Sequence, residues 1–182
     1  MTATKQFTIT RTFDAPRAAV WRAWTDPTIA AQWWDPHGMT TPRDSVEIDL
    51  REGGRFAYTM VLDETGETYP TGGEYLEVRE PERLRFTWAD PGATREAAPV
   101  ITIDLVETAE GGCEMTFHLS GVDEDRVSEQ SVFHGWTEAF EQLGDALATT
   151  SERSSRAATL ESTVAHPAGH VATEHAVEGG GR

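Results

Sequence analysis

Residues 124–149, EDRVSEQSVFHGWTEAFEQLGDALAT, form the one long helical pattern in this chain. Val132, Phe133, Trp136, Phe140, Leu143 and Leu147 recur at three- and four-residue spacing and so share one face of an α-helix. Asp123, Glu124 and Asp125 place negative charge near its N-terminus, where the helix dipole favours it. A face this aromatic needs a broad apolar partner. The rest of the sequence supplies one of a single kind, an antiparallel sheet, and the pairing predicts an α+β fold with the sheet wrapped around the helix.

The strands are legible from their period. KQFTITRTF alternates Phe7, Ile9 and Arg11 against Thr8, Thr10 and Thr12, as a half-buried strand does. Asp14 and Pro16 then open a helix through PRAAVWRAWT, with Val20, Trp21 and Trp24 converging on one face. DPTIAAQWW repeats the signal: Asp26 is an N-cap, Pro27 the first helical residue, and the short helix ends near two adjacent tryptophans. From there the segments SVEIDL, RFAYTMVL, GGEYLEV, RLRFTW, VITIDLVE and CEMTFHL follow, separated by the turns REGG, DETGE, REPE and TAEGG. With the first strand, this predicts about six or seven strands, mostly joined as hairpins.

Composition sets the outer limits. Every aromatic residue lies before position 141, and residues 151–182 are rich in Ala, Thr, Ser, Glu, His and Gly. Residues 1–150 are therefore expected to form the domain and 151–182 a disordered low-complexity tail, too poor in apolar surface to offset about 1–2 kcal/mol of backbone entropy per residue. The formal charge is −16, and Lys5 is the single lysine. That balance argues against nucleic acid as a partner, because phosphate binding needs Lys and Arg to displace counterions. The lone Cys113 cannot form an internal disulfide or a thiolate zinc site, and reads as a small core residue. No apolar run approaches the roughly 18 residues of a membrane span, and MTATKQFTIT lacks the apolar core of a signal peptide. A cytoplasmic protein, monomeric or homodimeric and without membrane insertion, is expected.

Five segments, FDAPRAAVWRAWTDPTIAAQWW, GGRFAYTM, PERLRFTW, GGCEMTFHLSG and HGWTEAFEQLGDAL, resemble in order and spacing the bacterial homologues of the activator of heat-shock protein 90 ATPase. Those proteins belong to the START-related SRPBCC superfamily, with the polyketide cyclases. The resemblance covers roughly residues 5–149 and implies a helix-grip fold, a curved antiparallel sheet closing on the C-terminal helix around an apolar cavity. The chain departs from it at one point. Many relatives read His-Ser-Gly near the end of the last strand, where this chain has Leu119, Ser120 and Gly121, with its histidine at His118. A shift of one residue moves the imidazole to the other face of the sheet.

Catalytic signatures are missing from the sequence. It has no phosphate-cradling glycine motif, nucleotide fingerprint, Gly-x-Ser-x-Gly elbow or His-Glu-x-x-His helix. His37, His118 and His134 have no metal-ligand partner at helical or hairpin spacing, and His166, His170 and His175 lie in the tail. Asp104, Glu107, Glu74 and Glu77 read as solvated surface in so acidic a chain. No catalytic residue, metal or cofactor is therefore assigned.

The aromatic inventory remains. Each large ring buries on the order of 150–250 Å², and a helix lying across a strongly curved sheet leaves space that such rings must fill or line. Trp33, Trp34, Tyr58, Met60, Tyr75, Phe86, Trp88, Phe117, Trp136 and Phe140 are the candidate ligand-binding set. Adjacent residues on a helix point about 100° apart, so one of Trp33 and Trp34 is expected in the core and its neighbour at the cavity mouth, with DPHGMTTPRD as a mobile gate. The expected function is binding of a small hydrophobic molecule: a lipid, a polyketide or an aromatic-like compound. The alternatives are an enzyme of the polyketide cyclase or dehydratase type and a co-chaperone that stimulates a heat-shock protein ATPase.

Overall fold

In the first strand, β1 (Thr4–Phe13), Ile9 and Phe13 are buried and Thr8, Thr10 and Thr12 exposed, the alternation its sequence demands. The computed structural model describes residues 4–123 and 129–164. After β1 come two helices, α1 (Arg17–Thr25) and the single turn α2 (Pro27–Ala30). The two-residue strand β2 (Met39–Thr40), a 3₁₀ turn at Arg43–Ser45 and the equally short β3 (Glu47–Ile48) lead into the main hairpins. These are β4 (Arg55–Leu62), β5 (Thr68–Arg79), β6 (Arg83–Thr87), β7 (Val100–Glu107) and β8 (Cys113–Asp123). A long helix, α3 (Glu129–Val164), follows.

The strands form one sheet of eight, in the order β1-β8-β7-β6-β5-β4-β2, with β3 also on β4. Every pairing is antiparallel. Its buried face is continuous across strands: Ile103 lies opposite Phe117, Leu105 opposite Met115, and Ile9 opposite Phe117 on the other side. His118 falls between the buried Phe117 and Leu119 and faces outward, where its Nδ1 lies 3.0 Å from Thr8 Oγ1.

β5 joins the two ends of the sheet. Its first half pairs with β4 and its second with β6, and the register shifts between Tyr75 and Glu77. At Gly73 the strand passes so close to the carbonyl oxygen of Thr87 and the ring of Phe56 that no Cβ fits. The glycine therefore permits the bend that carries β4 around towards the helix.

Helix α3 closes the open side. Its buried positions include Val132, Trp136, Ala139, Phe140, Leu143, Ala146 and Leu147. Phe133, though on the same stripe, remains 41 % exposed, because it sits near the start of the helix, where Phe7 of β1 packs edge-on at 5.3 Å. The helix runs beyond residue 150, where the composition changes, through the helix-forming Arg, Ala and Leu of RSSRAATL to Val164. The rest of the expected tail, 165–182, and the acidic Glu124 and Asp125 lie outside the described residues.

Candidate functional site

The site begins with a helix cap. Asp26 Oδ1 accepts hydrogen bonds from the backbone N–H groups of Thr28 (2.8 Å) and Ile29 (3.4 Å), and Pro27 occupies the first helical turn. The helix lasts one turn. The N–H groups of Trp33 and Trp34 both return to the carbonyl of Ala30, at 3.2 and 3.0 Å, so a tight turn delivers two indoles side by side.

Those indoles have different surroundings. Trp33 is fully buried, donates from Nε1 to the carbonyl of Ala23 (3.0 Å), and meets Trp24 edge-on at 4.6 Å. Trp34 packs against Tyr58 at 4.9 Å and Phe56 at 5.8 Å, and its buried Nε1 has no acceptor. An unmet buried donor costs about 1–3 kcal/mol. One side of Trp34 forms the wall of a cavity of about 160 Å³.

Four parts of the chain surround that cavity. Trp34, Asp35 and Pro36 come from the turn after α2, Tyr58 and Met60 from β4, Trp88 from the end of β6, and Val132, Gly135, Trp136 and Ala139 from α3. Trp88 Nε1 donates to Tyr58 Oη across 3.4 Å, and Trp88 meets Trp136 edge-on at 5.6 Å. Burial pushes the Tyr58 phenol up to about 12, so it is a neutral hydrogen-bonding group throughout the physiological range. The backbone at Trp88 is fixed: its N–H donates to Pro99 O (2.8 Å), and Ala89 and Gly72 exchange two bonds (3.0 and 2.9 Å).

The turn that follows the tryptophans is fastened, which differs from the mobile gate its glycine and prolines suggest. Gln142 Nε2 on α3 donates to the carbonyl oxygen of Asp35 (2.5 Å) and reaches its Oδ1 (3.3 Å). Thr41 Oγ1 donates to Trp34 O (3.2 Å), Thr40 Oγ1 to Asp63 Oδ1 (2.8 Å), and Asp63 N–H to Gly38 O (3.0 Å). Asp35 is thereby held with only 5 % of its surface exposed. Desolvation pushes its carboxyl above the usual range, against the opposing hydrogen bonds from Thr41 and Gln142.

The family model described as Activator of Hsp90 ATPase homolog 1-like protein matches residues 14–148. The chain belongs to this family. Among solved structures it is similar to a Chromobacterium violaceum protein at 26 % identity and a TM-score of 0.70, covering 79 % of this chain and 97 % of that one. A Mycobacterium smegmatis protein is 27 % identical, with a TM-score of 0.66 and coverage of 82 % and 98 %. The AHSA1 protein of Silicibacter pomeroyi is 25 % identical, with a TM-score of 0.65 and coverage of 80 % and 99 %. No curated protein matches the chain in sequence. The curved antiparallel sheet with its C-terminal helix is the helix-grip arrangement of this family.

Within this family frame the ten aromatic and apolar candidates divide. Trp34, Tyr58, Met60, Trp88 and Trp136 line the cavity together. Trp33, Tyr75, Phe86, Phe117 and Phe140 lie behind it, packed into the core: Phe117 meets Phe140 at 5.1 Å, and Tyr75 meets Phe86 at 5.9 Å. Asp35 and Pro36, the first residues of the segment expected beside the cavity mouth, and Val132 of the helical stripe complete the wall with Gly135 and Ala139, small helical residues that carry no aromatic signal in the sequence. The four surface carboxylates weighed from sequence lie elsewhere. Glu74 pairs with Arg95 (2.8 Å), Glu77 with Arg79 (3.0 Å), Asp104 with Arg83 (2.7 Å), and Glu107 is exposed. His37 and His134 both approach Glu138, at 3.7 and 3.2 Å. Among the described residues no cluster of His, Cys, Asp or Glu could hold a metal ion, and no helix is long and apolar enough to cross a membrane.

Proposed function

We propose that this protein binds one small, hydrophobic molecule in the cavity between β4, Trp88 and α3. The observation that carries this reading is the cavity itself: three indoles, a phenol and a thioether converge on about 160 Å³ of apolar space that opens to solvent at the edge of the aromatic core.

Its size selects among guests. Apolar cavities of about 150 Å³ accept benzene-sized molecules, whereas typical drug-sized sites need about 300 Å³ or more. A compound with one ring, or a short branched chain, fits the cavity; a long lipid or a multi-ring polyketide exceeds its volume. Tyr58 Oη and Trp88 Nε1 supply the polar handles at its edge.

The test is tryptophan fluorescence and thermal shift against a series of single-ring and short branched compounds, followed by bicyclic and long-chain ones. Saturable quenching with a rise in melting temperature, strongest for the smaller members, is the expected result. No response from any member would refute the binding reading. Stimulation of a chaperone ATPase is suggested by the family description alone, and an ATPase assay with the chaperone distinguishes it from ligand binding.

A further inference from the structure

The cavity wall is aromatic and a carboxyl lies buried behind it, and that combination specifies a class of guest. Trp34 and Tyr58 form one ring pair and Trp88 and Trp136 another. Asp35 belongs to the same wall, and Gln142 of α3 donates to its carbonyl oxygen. No lysine or arginine lines the space.

From this arrangement we infer that the preferred occupant is a small, fully alkylated ammonium ion, an apolar-shelled monocation held by Trp34, Tyr58, Trp88 and Trp136 with Asp35 as its counter-charge. This rests on the cavity being a binding site, and it names what the site prefers. The surface presented to a guest is almost entirely carbon, because the Asp35 carboxyl is already engaged by Thr41 and Gln142 and shielded behind the wall. A primary ammonium carries three N–H donors and would lose its hydration without replacement. A methylated ammonium has no such donors. It exchanges water for ring faces, whose quadrupole attracts the positive charge, and it needs only a nearby negative charge without a direct hydrogen bond.

The surroundings have the same sign. Asp63 lies close enough to raise the Asp35 carboxyl further, and Glu138 is on the adjoining turn of α3, where it holds His37 and His134. The neutral Tyr58 phenol adds no charge. In the empty site the Asp35 carboxyl resists ionisation because it is desolvated; a cation in the cavity offsets that penalty. The formal charge of −16 further favours arrival of a cation.

Isothermal titration of the full chain with choline, with 3,3-dimethylbutan-1-ol and with ethanolamine tests this directly. The second is the uncharged isostere of the first, and the third keeps the charge but carries N–H donors. Choline is expected to bind about tenfold or more tightly than the alcohol, and ethanolamine to bind far more weakly than choline. Asp35→Asn keeps the shape and is expected to abolish the preference for choline over the alcohol. Should the alcohol match or exceed choline in the unmodified protein, the cation inference is wrong while the binding reading stands. Failure of all three, together with the neutral ring series, overturns both. The comparison of guests needs no variant, so misfolding of Asp35→Asn would not obscure it. A phosphocholine lipid headgroup presents the same ammonium, so phosphatidylcholine vesicles form a separate arm. Heat with choline alone assigns a free cation; heat with vesicles as well assigns the headgroup.

Discussion

Trp33 and Trp34 are neighbours in the chain, yet they belong to two different interiors. Around Trp33 the rings of Trp24 and Phe140, with Phe117 and Phe86 close behind them, leave no usable space, and the indole N–H has its acceptor. Around Trp34 the same residue types stop short of one another: the N–H has no acceptor, and a cavity opens between the ring, β4 and α3. Aromatic composition is equal on both sides. What separates core from site is the small size of the facing helical residues, Gly135 and Ala139, where larger ones would have filled the gap.

The largest expected effect is therefore at Trp33. Trp33→Ala should destabilise by about 3–5 kcal/mol in urea or thermal denaturation, and Trp34→Ala by markedly less, since it removes a ring that borders the cavity and a donor without an acceptor. Equal losses would erase the distinction between the two interiors. Next comes Trp88→Ala, which acts on a half-buried ring and should cost about 1–2 kcal/mol while weakening the binding of single-ring guests. Unchanged guest affinity would show that Trp88 does not bound the site.

A smaller effect concerns Asp35. Its carboxyl is raised in the folded state, so above the ordinary carboxylate range of about 4 the native protein binds more protons than the unfolded chain. That contribution is fully favourable below the unfolded value and is lost as pH rises through the folded one. Asp35→Asn removes the loss. Its melting temperature should exceed that of the unmodified protein at pH 7–8, with the gap closing towards pH 4; a gap that widens on acidification contradicts the assignment. The smallest change is Gly135→Ala. An added Cβ there meets nothing closer than Pro36 Cβ at 3.9 Å, so helix propensity should bring up to about 1 kcal/mol of stability. The same methyl narrows the cavity, and guest affinity should fall as stability rises.

The main strand segments, the hairpins and the helical stripe were legible in the sequence because each depends on local period and spacing; the two-residue β2 is too short to show a period. The partition of the aromatics was not. Phe117 and Trp136 were both aromatic candidates and their rings lie 4.7 Å apart, but only Trp136 lines the cavity, which depends on how segments distant in sequence pack together. Asp35 was hidden for another reason: within QWWDPHG it reads as an exposed turn residue, and its burial depends on Gln142, far along the chain on α3. The same applies to the end of α3, since composition without aromatics says little about whether backbone hydrogen bonding stops.

The crease at Gly73 has a consequence for how this scaffold can change. Because the carbonyl oxygen of Thr87 occupies the place a side chain would take, the close approach of β5 to the end of β6 depends on main chain there. Tyr58 of β4 and Trp88 just after β6 meet by a side-chain hydrogen bond beside that approach. Replacing those side chains redecorates the chamber without touching the backbone contact at Gly73, so one frame can acquire new tastes by single replacements.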